Sequence, residues 1–273
     1  MQTPERLLEN VIDITREAAE VVLSIYESDF SVQIKHDQSP LTRADVAAHH
    51  LIKHRLAGLA PGCPILSEES TVEEKAGRHA WSRFWLVDPL DGTREFIDRN
   101  GEFSINIALI EEGAPVLGVI MAPVTGTLWY ATRGGGARRA HEGRIERITV
   151  APLRAGRAVR VVGSRSHVHE ELEGLLKRLE PLEWQGIGSS LKFCRIAEGF
   201  ADCYLRPGPT CEWDTGAGQI ILEEAGGCVR RLEGGEVKEA LRYNRRETLI
   251  NPDFIALGDR AIAGMLTDFH KRN

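Results

Sequence analysis

At the start of the chain, apolar positions recur with a helical period. Leu8, Val11, Ile12, Ala18, Ala19, Val22, Leu23 and Tyr26 fall mostly three or four apart over residues 5–26, which predicts a helix with one buried stripe. Ala44, Ala47, Ala48, Leu51, Ile52, Leu56 and Leu59 repeat the pattern after Ser39-Pro40 and predict a second helix.

The period then shortens to that of strands. Pro64-Ile65-Leu66 and Trp85-Leu86-Val87 read as short buried strands, the second broken by Asp88-Pro89. Residues 104–110 (SINIALI) and 115–121 (PVLGVIM) read as an antiparallel hairpin, and residues 128–132 as a third strand. The segment GGGARR at 134–139 reads as a mobile loop, because its glycines lack the strand-to-helix setting and the Lys of a phosphate-binding loop. Further on, strands at 159–162 and 204–205 alternate with helices at about 167–179, from Ser189-Ser190, and from Trp213-Asp214 to Gly226-Gly227. A short amphipathic helix closes the chain. This order predicts an α+β lobe packed on an α/β lobe, with the boundary near residues 152–157, giving lobes 1–154 and 155–273.

Composition excludes several functions. With 42% hydrophobic and 27% charged residues, the chain can bury a core and disorder is not its main state. A net charge of -6 gives no general attraction to a nucleic-acid polymer, so a small phosphorylated substrate has to be held by local cations. The five cysteines (63, 194, 203, 211 and 228) form no Cys-x-x-Cys pair, which fits reduced thiols in the cytoplasm better than disulfides or zinc. No secretory signal layout or long apolar run is present, so any membrane contact is expected to be peripheral, as on the cytoplasmic face of an inner membrane.

The candidate chemistry centres on WLVDPLDGTREFI at 85–97. Asp88, Asp91, the Leu90 carbonyl and the Thr93 hydroxyl offer hard oxygen donors of the kind that suits Mg2+, and Gly92 lets a ligand approach the backbone. An Asp-Pro turn followed by an Asp-Gly turn is the plainer alternative. Glu68-Glu69 stands at another strand end, where adjacent carboxylates call for solvent or a cation. Asp214 either caps its helix or binds a cation there. Thr42 and Asp45 match a helix capping box and equally a pair facing a water. Ser164, Ser166 and His167 lie at a strand-to-helix turn where α/β folds contact ligands. Lys192, in the first turn of its helix, is either a solvated stem or has an anion to meet, and Arg206 is a second cation of this kind. His49, His50 and His54 lack the third ligand of a zinc helix and read as surface or packing residues.

Together, Glu68-Glu69, DPLDGT at 88–93, Trp213-Asp214 and the Thr42/Asp45 pair resemble the signature of the inositol monophosphatase superfamily over nearly the whole chain. SPLTRADVAAH, LSEES, DPLDGTREFI, SRSH and GSSLKFC resemble most its bacterial 3'(2'),5'-bisphosphate nucleotidases. The resemblance implies a layered α-β-α-β-α sandwich and hydrolysis of 3'-phosphoadenosine 5'-phosphate to AMP and phosphate, with two or three Mg2+ ions. It implies that Glu68, Asp88 and the Leu90 carbonyl hold one ion, and Asp88, Asp91 and Asp214 a second, with Glu69 assisting. Gly92 and Thr93 would contact the departing phosphate, Thr42 and Asp45 would activate the attacking water, and His167, Ser189, Lys192 and Arg206 would approach the nucleotide. Gly216 and the Gly/Arg-rich loop at 134–146 depart from the family pattern without touching a metal ligand.

Three rivals follow from the same residues. An inositol or sugar phosphatase of the same superfamily would leave Lys192 and Arg206 without a second phosphate. A phosphatase using Asp-x-Asp-Gly-Thr would attack through its first Asp, but here Asp88 and Asp91 are one residue further apart. A non-catalytic nucleotide-binding regulator would retain the pocket and release no phosphate.

Overall fold

The computed structural model describes residues 2–34, 40–164 and 170–267. Its first two helices, Pro4–Tyr26 and Arg43–Leu59, follow the apolar spacing of the sequence. They cover one face of a seven-stranded sheet whose strands run in chain order: Ile65–Ser67, Arg83–Asp91, Ser104–Glu111, Ala114–Ala122, Thr127–Thr132, Gly136–His141 and Arg144–Arg147. The first pair is parallel and the rest are antiparallel.

A second, six-stranded sheet has the order Leu182–Gly186, Val159–Gly163, Cys203–Arg206, Phe254–Leu257, Cys228–Glu233, Glu236–Ala240. Helices Leu191–Ala197 and Gly216–Glu224 fill the space between the sheets. Helices Glu170–Lys177 and Ala261–Thr267 cover the outer face of the second sheet through Leu172, Leu175, Ile262 and Leu266. The result is a layered α-β-α-β-α sandwich.

Strand alternation sorts side chains between these layers. In Arg83–Asp91, Phe84 and Leu86 join the core around the middle helices, whereas Trp85 and Val87 join the core under the first two helices. In Phe254–Leu257 the same alternation sends Phe254 and Ala256 inward and Ile255 and Leu257 outward. Close approach of the middle layer depends on Gly118, where a Cβ would lie 2.4 Å from Ile220 Cγ2 and 2.8 Å from the Ala217 carbonyl oxygen.

Three sequence expectations need correction. The GGGARR segment is a loop only at its start: Gly136–His141 is a strand paired on both sides. Its glycines make the turn, Glu224 accepts the Gly134 and Gly136 amides at 2.8 Å each, and Arg139 on the strand is ion-paired with Glu146 and Glu198. The Arg83–Asp91 strand also does not end at Asp88-Pro89. Asp88 pairs with Asn106 and Asp91 with Ser104, so the extra residue is absorbed as a bulge at the proline, which has no N–H to give the ladder. Finally, Glu212–Asp214 forms a 3-10 turn, and the α-helix starts only at Gly216. No helix among the described residues is long and apolar enough to cross a membrane.

Candidate active site

Asp88 is buried at the bulge, and its Oδ1 accepts the Leu90 amide at 3.0 Å. Gly92 then turns the chain with φ 89°, into the short helix Thr93–Ile97. A Cβ on Gly92 would meet Glu95, the Glu102 carbonyl and Ser189 at 3.2 to 3.3 Å, so both conformation and space favour glycine.

This turn meets the start of the Gly216–Glu224 helix. Asp88, Asp91 and Asp214 each offer an oxygen within 4.8 Å of the others. Ser190 joins the two sides: its amide donates to Asp91 Oδ2 at 2.6 Å, and its hydroxyl lies within hydrogen-bond distance of both Asp91 Oδ2 and the Asp214 carbonyl. Asn106 Nδ2 donates to Asp91 Oδ2 at 3.2 Å and to Ser190 Oγ at 2.9 Å. Asp214 Oδ2 accepts the Cys211 amide at 2.8 Å.

Two of these carboxylates, Asp88 and Asp214, resist ionisation. Burial holds Asp88 well above the usual carboxylate range, and the charges of Glu68, Asp91 and Asp214 push it further. Asp214 is raised by burial, then by Asp91 and Glu68. Among the described residues the hydrogen bonds to these acids come from amides and a hydroxyl, and mutually repelling acids so placed fit a divalent metal, whose charge would reverse that balance. The three carboxylates offer only oxygen donors, the type that hard divalent cations take. Among the described residues no histidine joins such a group.

Thr42 and Asp45 reach the same place from the second helix. They form a capping box, and Thr42 Oγ1 and its amide both donate to Asp45 Oδ2 at 2.7 Å. The other oxygen, Oδ1, faces Thr93 Oγ1 at 3.4 Å, and Thr93 Oγ1 also reaches the Leu90 carbonyl at 3.3 Å. The capping reading of this pair is therefore met, and Asp45 also faces Thr93 of the turn that carries Asp88 and Asp91.

Glu68 is half-buried and close enough to act on both Asp88 and Asp214, while Glu69 follows it in the turn after Ile65–Ser67. His49 packs in the core with Nδ1 2.9 Å from Ser67 Oγ.

A cavity of about 180 Å³ opens beside the acids, lined by Asp91, Gly92, Glu95, Ser189, Lys192, Tyr204, Arg206, Thr210 and Phe254 among others. Lys192 is buried, not a solvated stem: its Nζ donates to the Ile187 carbonyl at 3.1 Å and lies 5.3 Å from the Tyr204 ring centre. Burial lowers its pKa to about 8, and Asp91, Glu95 and Asp214 oppose that shift. Arg206 donates to the Pro209 carbonyl at 3.0 Å. Ser164 lines the cavity, whereas Ser166 and His167 lie outside the described residues.

Sequence reasoning missed Asn106 and Glu95. Asn106 is the one amide within the apolar run SINIALI, a polar residue in a buried strand that needs a partner. Glu95 carried no such signal.

Comparison with known proteins matches residues 3–268 to the inositol monophosphatase family. The 3'(2'),5'-bisphosphate nucleotidase CysQ of Salmonella typhimurium is 45% identical over 91% of this chain and 98% of its own. CysQ of Escherichia coli K12 is 43% identical over the same shares. The crystal structure of CysQ from Bacteroides thetaiotaomicron, 40% identical, superposes with a TM-score of 0.77 over 91% of this chain and 96% of that one.

Proposed function

The chain belongs to the inositol monophosphatase family, and from that premise we propose that it is a Mg2+-dependent 3'(2'),5'-bisphosphate nucleotidase acting in the cytoplasm. Its reaction removes the 3'-phosphate of 3'-phosphoadenosine 5'-phosphate to give AMP and phosphate. The observation that carries the reaction class is the convergence of Asp88, Asp91 and Asp214 within 4.8 Å, and the substrate class follows the 45% identity to a nucleotidase over nearly the full chain.

Glu68, Asp88 and the Leu90 carbonyl would hold one Mg2+, and Asp88, Asp91 and Asp214 a second, with Glu69 close to any third. Bound there, Mg2+ supplies charge neutralisation at the phosphate, a more acidic water and a stabilised leaving oxygen. Asp45 accepts from Thr42 through one oxygen and faces Thr93 with the other. A proton leaving the attacking water would reach Asp45 through one of these two hydroxyls. Gly92 and Thr93 would contact the departing phosphate. Lys192, Arg206 and Ser189 line the adjoining cavity, which supports the reading that they hold the nucleotide and its second phosphate.

Phosphate release from 3'-phosphoadenosine 5'-phosphate and from inositol 1-phosphate, measured with Mg2+ and with EDTA, tests this. Preference for the adenosine bisphosphate and loss of turnover in EDTA are expected. Preference for inositol phosphate would replace the substrate, and tight nucleotide binding without phosphate release would replace the enzyme by a regulator.

A further inference from the structure

The turn that carries Asp214 is bordered by residues 243–251, far along the chain. The Glu212 amide donates to the Leu249 carbonyl at 2.9 Å, the Asn251 amide to the Thr210 carbonyl at 2.8 Å, and Asn251 Nδ2 to the Cys211 carbonyl at 2.7 Å. The fully buried Glu212 carboxylate accepts the Asn244 amide at 2.7 Å and Arg246 Nη2 at 3.0 Å.

Arg78 grips the same segment. Its Nη1 donates to Asn244 Oδ1 at 2.7 Å and its Nη2 to the carbonyls of Arg246 and Glu247 at 2.8 and 2.5 Å, while Asn244 Nδ2 donates back to the Arg78 carbonyl at 2.5 Å. Arg78 is buried and begins the 3-10 turn Arg78–Ala80, shortly after the helix Val72–Lys75. Lys75 of that helix donates to the Glu68 carbonyl at 3.1 Å and lies 5.1 Å from the Trp213 ring centre, next to Asp214.

We propose that Arg78 is a positioning residue for the acidic cluster. Through residues 243–251 it fastens the Asp214 turn to the arm that carries Glu68, so carboxylates from two distant parts of the chain are held together before a cation arrives. The inference rests on the metal-cluster reading above. Carboxylates that repel each other separate unless a scaffold opposes them, and a cation that must first draw them back binds more weakly. A guanidinium suits this role because its planar fork reaches three acceptors at once, which a lysine ammonium on a flexible stem does not.

The test titrates Mn2+, as the metal alone, into native protein and variants, and follows the free-ion signal by electron paramagnetic resonance. Turnover is measured separately at saturating Mn2+. Arg78→Met is expected to bind Mn2+ roughly 10-fold or more weakly, the loss usual for a removed supporting residue, with kcat at saturation little changed. Arg78→Lys, which keeps the charge and is read if Arg78→Met does not fold, should fall between the two. Arg83→Met, which loses a different ion pair, to Glu111 at 3.2 Å, should bind as the native protein does. Unchanged Mn2+ affinity in both Arg78 variants, an equal loss in Arg83→Met, or a fall in kcat without loss of affinity would each overturn the assignment. If native protein binds no Mn2+, the cluster reading itself falls and this inference with it.

Discussion

Two turns bring the central carboxylates together, and they are made in opposite ways. The turn at 88–93 is built from its own residues: a bulge at Pro89, an amide from Leu90 to Asp88, and a left-handed glycine. The turn at 210–215 has local bonds between Cys211 and Asp214 but is otherwise held by Asn244, Arg246, Leu249 and Asn251. The first can be recognised in six consecutive letters, whereas the second exists only after the chain has folded back on itself. A site assembled from both gains a ligand set that no single segment could hold.

The largest effect should come from removing one acid from either turn. Asp88→Asn and Asp214→Asn are each expected to lower kcat by ~10²–10³-fold, the usual cost of losing one electrostatic stabiliser of a transition state. Both should also raise the melting temperature in EDTA, because each relieves repulsion among buried carboxylates. A variant that melted lower without metal would mean that the acid is structural, and the two turns would no longer be equivalent ligand donors.

Ser190→Ala cuts the link between the turns, since its hydroxyl lies between Asp91 and the Asp214 carbonyl. Metal affinity measured by Mn2+ titration should weaken by roughly 10–100-fold, as for other residues that orient ligands. No change would show that the turns are held independently.

Gly92→Ala probes the local turn alone. At φ 89° the added Cβ should cost about 1–3 kcal/mol of stability in urea melts. A neutral result would mean that the turn is less fixed by its own backbone than its geometry implies.

The effect that is smallest within any one pH unit concerns the Glu68 arm. His49, buried against Ser67, is lowered from 6.5 to about 4, chiefly by burial and then by Lys53 and His50. Between those values the unfolded chain takes up a proton that the folded protein refuses. Stability should therefore fall as pH drops from 6.5 to about 4, by at most about 1.4 kcal/mol per pH unit from this group. His49→Gln should flatten that slope in urea melts across the window. An unchanged slope would remove His49 from the account.

The same contrast explains what the sequence made visible. DPLDGT, Glu68-Glu69 and the Thr42/Asp45 pair were legible because their donors are neighbours in the chain. The layered sandwich was legible only through family resemblance. Residues 241–251 have no period and no motif, and their role depends on partners such as Arg78 that sequence distance conceals. Lys192 stands out in the sequence as a cation in the first turn of its helix, but its burial beside Tyr204 and its bond to Ile187 are tertiary facts. GGGARR reads as a loop because glycine announces a turn and says nothing of the strand that follows it.

Alternation along the Arg83–Asp91 strand has a further consequence. Asp88 shares its parity with Phe84 and Leu86, which belong to the core around the middle helices. Losing a single residue ahead of it would turn its carboxylate beneath the Arg43–Leu59 helix, out of reach of Asp214, whereas losing a pair would leave it aligned.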